Sequence, residues 1–253
     1  MSDLETANSS VPVSPRPPLR TWDFMETAFV SLIAYGVFAL TSGLALGIML
    51  GMQEGAKNLS PAQLDALATQ GRWYGAALII ASPLTIAVLW IAIRMARREF
   101  AEYLALNWPS SGELVRALVI MAIVLVGEMV VGSAVGAENP SIDPLLIVKG
   151  AGGLLILLIG GCIAGPVMEE FIFRGFMFRG WSQSSLGPIG AIALTSAVWA
   201  MTHTQYDWFG RSEIFVMGLA LGHFRWRSNS TWLTVMVHSG INIFLFFTMG
   251  SYT

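Results

Sequence analysis

Read for apolar periodicity, the chain is a series of long hydrophobic runs broken by short polar links. A bilayer-spanning helix needs about 20 largely apolar residues. Runs of that kind fall at 27–51, 74–95, 114–135, 150–170 and 232–249, with two shorter and more polar ones at 188–203 and 213–224. The pattern predicts an all-α fold, a polytopic transmembrane bundle of about 7 spans. No strand-like alternation and no internal repeat appears, and the links leave no room for a second domain. Residues 1–22 are polar, with prolines at 12, 15, 17 and 18 and no apolar core. They read as a disordered cytoplasmic tail rather than a signal peptide. Residues 23–253 read as one membrane-embedded domain.

Composition agrees with this reading. Of the 253 residues, 55% are hydrophobic and 12% charged, against about 45–50% and about 25% in ordinary soluble domains. The formal net charge of −2 gives no reason to expect a nucleic-acid partner. The single cysteine, Cys162, has no partner for an intrachain disulfide and is silent on redox compartment.

Positive charge in the short links sets orientation. Arg16 and Arg20 precede the first run, and Arg94, Arg97, Arg98 and Arg116 surround the link between the second and third. Arg174 and Arg179 follow the fourth, and Arg225 and Arg227 precede the last. The intervening links hold only Lys57 and Arg72, Lys149, and Arg211. This asymmetry predicts a cytoplasmic N-terminus and membrane lipid as surroundings.

Several polar residues then stand out. An ionisable side chain at the centre of a span costs about 2.5–3.5 kcal/mol, while each apolar residue recovers only about 0.3–0.6 kcal/mol. The run Leu154–Ile159 therefore barely offsets one carboxylate, yet Glu169 and Glu170 follow it together. Glu170 and Arg174 are four apart on one helical face and can pair. Glu169 points elsewhere, and a carboxylate in apolar surroundings suits general acid or base chemistry. The blander reading is that all three mark the cytoplasmic end of the span.

The chain has three histidines, His203, His223 and His238. His203 follows Trp199 by one turn, and His238 precedes Asn242 by one turn in the last span. If the fourth helix continues through 171–183 and turns near Leu186, Glu169 and His203 lie level in an antiparallel hairpin. Both are then about 25 Å from the turn at 1.5 Å per residue. Glu169 and His203 would activate a water, with His238 and Asn242 donating to an oxyanion. Such donors are worth about 3–4 kcal/mol each. A zinc ion held by Glu169, His203 and His238 is the alternative, ranked lower because no His-Glu-x-x-His pair is present. No Gly-x-Ser-Gly or Gly-x-Gly-Asp points to a serine or aspartyl intramembrane protease.

These residues resemble a known family. Glu169-Glu170-x-x-x-Arg174, Trp199-x-x-x-His203 and His238-x-x-x-Asn242 are similar to the three motifs of the CPBP family, the type II CAAX prenyl endopeptidases and Abi-like bacteriocin-processing or immunity proteins. The stretch Gly218-Leu-Ala-Leu-Gly222-x-x-Arg225-x-Arg227, leading into Ser230, is similar to the run-up to its last motif. The resemblance covers about 150–249. It implies a cytoplasm-facing cavity and cleavage near the C-terminus of a prenylated protein. Glu169 and His203 would be the water-activating pair, His238 and Asn242 the oxyanion donors, and Glu170, Arg174 and Trp199 supporting residues. Trp199 stands where the family usually has phenylalanine, and His223 matches no motif and reads as interfacial.

A non-catalytic immunity or scaffold protein that binds a peptide or protein partner is the competing reading. A small transporter is the third, weakened by the lack of a repeat. Glu128, inside the third run, reads as hydrogen-bonded within the bundle, or less favourably as a partner for Arg174. Gly218 with Gly222, and Gly161 with Gly165, have helix-packing spacing.

Overall fold

The structure is a computed structural model, which describes residues 20–53, 58–68, 70–137 and 153–249. Most of the N-terminal tail, Lys57, and the 138–149 link with Lys149 lie outside the described residues. The helices are α1 (Phe24–Gly51), α2 (Pro61–Ala68), α3 (Gly71–Met95), α4 (Phe100–Tyr103), α5 (Ser111–Val135), α6 (Gly153–Ser182), α7 (Gly187–Thr202), α8 (Trp208–Ser228) and α9 (Thr231–Met249). No strand occurs among the described residues.

Local chemistry explains where the helices begin. Asp23 and Glu26 form a reciprocal capping box at α1, and Ser110 and Glu113 form another at α5. The Asp207 carboxylate accepts the Gly210 N–H at 2.8 Å to open α8. Each removes orphan donors that the end of a helix would leave bare. Asn229 closes α8 in the left-handed region, φ 48°, a conformation asparagine tolerates. The chain then turns at once into α9. That corner is fastened to the 104–107 turn. The Thr231 N–H donates to the Ala105 carbonyl at 2.9 Å, and the Asn107 amide to the Asn229 carbonyl at 2.8 Å.

Five helices are long and apolar enough to cross a membrane: α1, α3, α5, α6 and α9. The count of about seven is therefore not confirmed: among the described residues five helices qualify by length and composition. The predicted runs at 188–203 and 213–224 are real helices, α7 and α8, but α7 is only 16 residues long and α8 carries Arg211, Glu213, Arg225 and Arg227. The predicted 150–170 limit was too short. Helix α6 continues to Ser182, as the level-hairpin argument requires.

Helix α6 is the axis of the bundle. Half of its most apolar window is buried, against 11% for α5. Residues 170–178 are buried without interruption, so every face of this part of α6 meets the rest of the protein, and its two charged members, Glu170 and Arg174, are buried with the apolar ones. Helices α1, α3, α7, α8 and α9 surround it, and α5 leans on α8 and α9 with most of its apolar side chains outward.

Helix α6 also contains two π-helical stretches, Gly160–Ala164 and Phe171–Met177. The first has a chemical cause. Pro166 has no N–H to return to the helix, and the Gly165 N–H reaches back five residues to the Gly160 carbonyl. Neither usual donor serves the carbonyl of Gly161. The amide of Asn242 on α9 supplies that bond at 3.0 Å.

Two glycine contacts fix how closely the helices approach. A Cβ on Gly160 would fall on the backbone of Gly75 in α3, and one on Gly75 would fall on Ile156 and Leu157. In α8, Gly218 rests on Ser196 and Gly222 on Ile192, so that pair does pack helices as expected. The Gly161–Gly165 pair does not make the equivalent contact; the close approach falls one residue earlier, at Gly160.

Outside the spans, Glu102 on α4 ties that helix to the end of α6. Arg98 Nε donates to its carboxylate at 2.9 Å, and Arg179 Nη2 donates at 2.9 Å. The Arg98 hydrogen bonds, with the Arg179 charge, hold Glu102 below the usual carboxylate range against the opposing effect of burial.

Two predictions follow from these contacts. Gly160→Ala should lower the thermal unfolding midpoint in detergent, because overpacking typically costs about 1–3 kcal/mol. Gly43→Ala, where a Cβ meets open space, should leave the midpoint unchanged or raise it. The Glu102 contribution is present above the ordinary carboxylate pKa and is lost as pH falls through its depressed value. Stability should therefore drop on acidification below about pH 4, and Glu102→Gln should reduce the size of that drop.

Candidate active site

Trp199, near the end of α7, is the hub of the site. Its indole Nε1–H donates to Glu169 Oε2 at 2.6 Å. The imidazoles of His203 and His238 each meet its ring edge-on, with centroids 5.2 Å away. The Arg174 guanidinium carbon lies over its ring face at 4.3 Å, a favourable cation–π position. One buried side chain thus touches four of the polar residues singled out in the sequence. It also shows that Glu169 and His203 lie level across the α6–α7 hairpin.

The two adjacent glutamates have different environments. Glu170 is fully buried. Its Oε1 accepts from Arg174 Nη1 at 2.9 Å and faces His238 Nδ1 at 3.0 Å. Arg174, also fully buried, reaches the Gly218 carbonyl through Nη2 at 3.4 Å. Glu170 and Arg174 therefore form the pair expected from their i, i+4 spacing. Glu169 is only partly buried, and its second oxygen takes no bond from the described residues.

Both histidines have one nitrogen committed and one available. His203 caps α7, and its Nδ1 lies 2.9 Å from the Trp199 carbonyl. A carbonyl only accepts, so Nδ1 carries a proton, and in the neutral ring Nε2 is the lone pair. His238 commits Nδ1 to Glu170 in the same way. Its Nε2 donates only when the ring is an imidazolium. Asn242 stands apart from the Trp199 group, one turn further along α9. One of its amide hydrogens is engaged by the Gly161 carbonyl, leaving the other.

Several residues at the site escaped sequence reasoning. Arg225, 3% exposed, donates from Nε to the Arg174 carbonyl at 3.0 Å and so holds the second π stretch from α8. In the sequence it is only a charge in a short link and a member of the run-up to the last motif. Tyr35 on α1, Tyr74 on α3 and Tyr206 after α7 all lie close enough to Glu169 to feel its charge. The Tyr206 hydroxyl is pushed above its ordinary value, by burial first and then by Glu169 and Glu213. A tyrosine in an apolar span carries no signal of its own.

Glu128 does not reach Arg174. It faces Glu213 across α5 and α8, and among the described residues its Oε1 has no hydrogen-bond partner, so the expected bond within the bundle is not found there. Among the described residues, no three His, Cys, Asp or Glu side chains gather as a metal-binding group.

The Glu170–Arg174 pair gives a further prediction. Breaking a buried pair costs about 3–5 kcal/mol because a charge is left uncompensated. Arg174→Met should therefore destabilise strongly in chemical or thermal unfolding. Adding Glu170→Gln should recover part of that loss, since the orphan charge goes with it.

Residues 151–244 match the family model described as Rce1-like, type II CAAX prenyl endopeptidase. No curated protein and no solved structure matches the chain. The matched segment begins just before α6 and ends within α9, so it contains every side chain of the Trp199 cluster and Asn242. The match leaves out residues 1–150, so α1 to α5 lie outside it; three of the five long apolar helices are among them.

Proposed function

Starting from an Rce1-like domain over residues 151–244, we propose that this protein is an intramembrane endopeptidase. It cleaves a peptide bond near the C-terminus of a protein substrate, prenylated in the reading that the family name favours. The observation that carries this is the meeting of Glu169, His203, His238 and Arg174 on the single ring of Trp199.

In the proposed reaction, Glu169 takes a proton from water, and the water oxygen bonds to the scissile carbonyl carbon. His203 Nε2 accepts a hydrogen bond from the same water and so aims it. The carbonyl oxygen becomes an oxyanion, stabilised by the His238 imidazolium and by the amide hydrogen of Asn242 not used by Gly161. The C–N bond then breaks. The proton taken by Glu169 is passed through His203 to the leaving nitrogen, giving a carboxylic acid and an amine, and the acid then gives up its proton to leave a carboxylate and an ammonium.

Glu170 and Arg174 act at one remove. The Glu170 carboxylate engages His238 Nδ1 and so turns Nε2 towards the oxyanion, and Arg174 holds Glu170 in place. This division matches the burial: the structural carboxylate is sealed and the reactive one is partly open. The reading needs no metal. We orient the N-terminus to the cytoplasm, from the arginine-rich links.

A cleavage assay on a farnesylated C-terminal peptide tests the proposal. Glu169→Ala should reduce the rate by the share of a general base, about 10²–10⁴-fold. Trp199→Phe, which keeps the ring and loses only the indole N–H, should retain most activity. Undiminished turnover by the Glu169→Ala protein would remove the central role given to that residue.

A further inference from the structure

A cavity of about 190 Å³ lies away from the Trp199 cluster, between the start of α5, the end of α8 and the start of α9. Arg116 enters from α5, and His223 and Arg227 from α8, with Ile120 and Leu233 lining its apolar part. His223 and Arg227 are four apart and so share one face of α8. Arg225, on another face, is buried against Arg174.

The charge in this cavity is unbalanced. Arg116 and Arg227 are exposed and form no ion pair with any described residue. The one acid present, Glu113, is committed to its own helix end. Its Oε2 accepts from the Ser110 N–H and hydroxyl, both at 2.8 Å. The surroundings are those of a membrane interface. Trp226 is 40% exposed beside the cavity, and Trp108 stacks on Trp232 at the same corner. Tryptophan concentrates at headgroup depth. Below Arg116, the outer surface of α5 presents Leu118, Val119 and Ile123 to the lipid.

We propose that this cavity holds the phosphate of an anionic membrane phospholipid, with Arg116 and Arg227 as its ligands and His223 beside them. The acyl chains run down the exposed apolar side of α5. Unpaired arginines lining a cavity suit phosphate oxygens by their fork geometry. The continuous apolar surface below favours a phosphate that arrives on a lipid over one free in solution. The assignment is independent of the proposed peptidase chemistry and survives its failure.

The test uses the full chain in a neutral detergent, titrated with dioctanoyl phosphatidylglycerol, dioctanoyl phosphatidylcholine or inorganic phosphate, with the thermal unfolding midpoint as readout. Phosphatidylglycerol should raise the midpoint in a saturable way; phosphatidylcholine and inorganic phosphate should not. Each arginine near an anionic lipid is worth about 1 kcal/mol. The double variant Arg116→Gln/Arg227→Gln should therefore bind phosphatidylglycerol about 30-fold more weakly. Arg97→Gln, at another exposed arginine outside the cavity, should bind like the parent. If the glutamine double variant folds poorly, Arg116→Lys/Arg227→Lys keeps the charges and should retain preference for phosphatidylglycerol over phosphatidylcholine. Undiminished binding by the glutamine variant, loss of that preference in the lysine variant, or equal effects of the two lipids would overturn the proposal. An equal midpoint rise with inorganic phosphate would overturn the lipid assignment.

Discussion

The buried contact between Glu170 and Arg174 is the constraint around which the second half of the chain is arranged. Two full charges without solvent exposure are tolerable only if every approach to them is occupied by something complementary. The structure meets most of that demand with residues from four helices, while Glu170 Oε2 and Arg174 Nε have no hydrogen-bond partner among the described residues. The ring of Trp199 covers the guanidinium, the Gly218 carbonyl accepts from it, and His238 faces the carboxylate. Arg225 ties the backbone carbonyl of Arg174 to α8. Helices α6, α7, α8 and α9 are thus brought to one point by the requirements of a single ion pair. By contrast, the half-exposed Arg94–Glu99 bridge is of a kind typically worth about 0–1 kcal/mol, and nothing else in the fold is built on it.

Placing a tryptophan at that point has a chemical result. An indole offers a face to a cation, an edge to neighbouring rings and one N–H to an anion, all from a rigid body. Trp199 uses all three, which is why residues far apart in sequence meet without a polar cavity having to be built around each. The same ring separates the two carboxylates by environment: Glu170 belongs to the sealed pair, while Glu169 borrows only a single N–H.

Much of this was legible from residue types and spacing. The long apolar runs gave the helices, and the i, i+4 interval gave the Glu170–Arg174 pair. The equal distances of Glu169 and His203 from Leu186 gave their common level. Where the reading failed, the reason was physical. Seven predicted spans are matched by five long apolar helices among the described residues, because α7 is short and α8 carries several charges. The partners of Arg225 and Glu128 were not legible because they depend on which way a helix faces. Asn242 was paired with His238 because one helical turn separates them. Its bond to the Gly161 carbonyl arises instead from an irregularity in another helix, caused by a proline that lies nowhere near it in sequence.

That irregularity bears on how the chain tolerates insertions and deletions. Each π turn accommodates one residue more than an α turn, so it offsets all that follows by about 100° around the axis. Helix α6 contains two such offsets, one on each side of Glu169 and Glu170. Deleting a single residue from either stretch would make the helix more regular and its backbone bonding more uniform. It would also swing one end of α6 away from the partners it now meets. In this protein the less perfect helix is the one whose length is in phase with its neighbours.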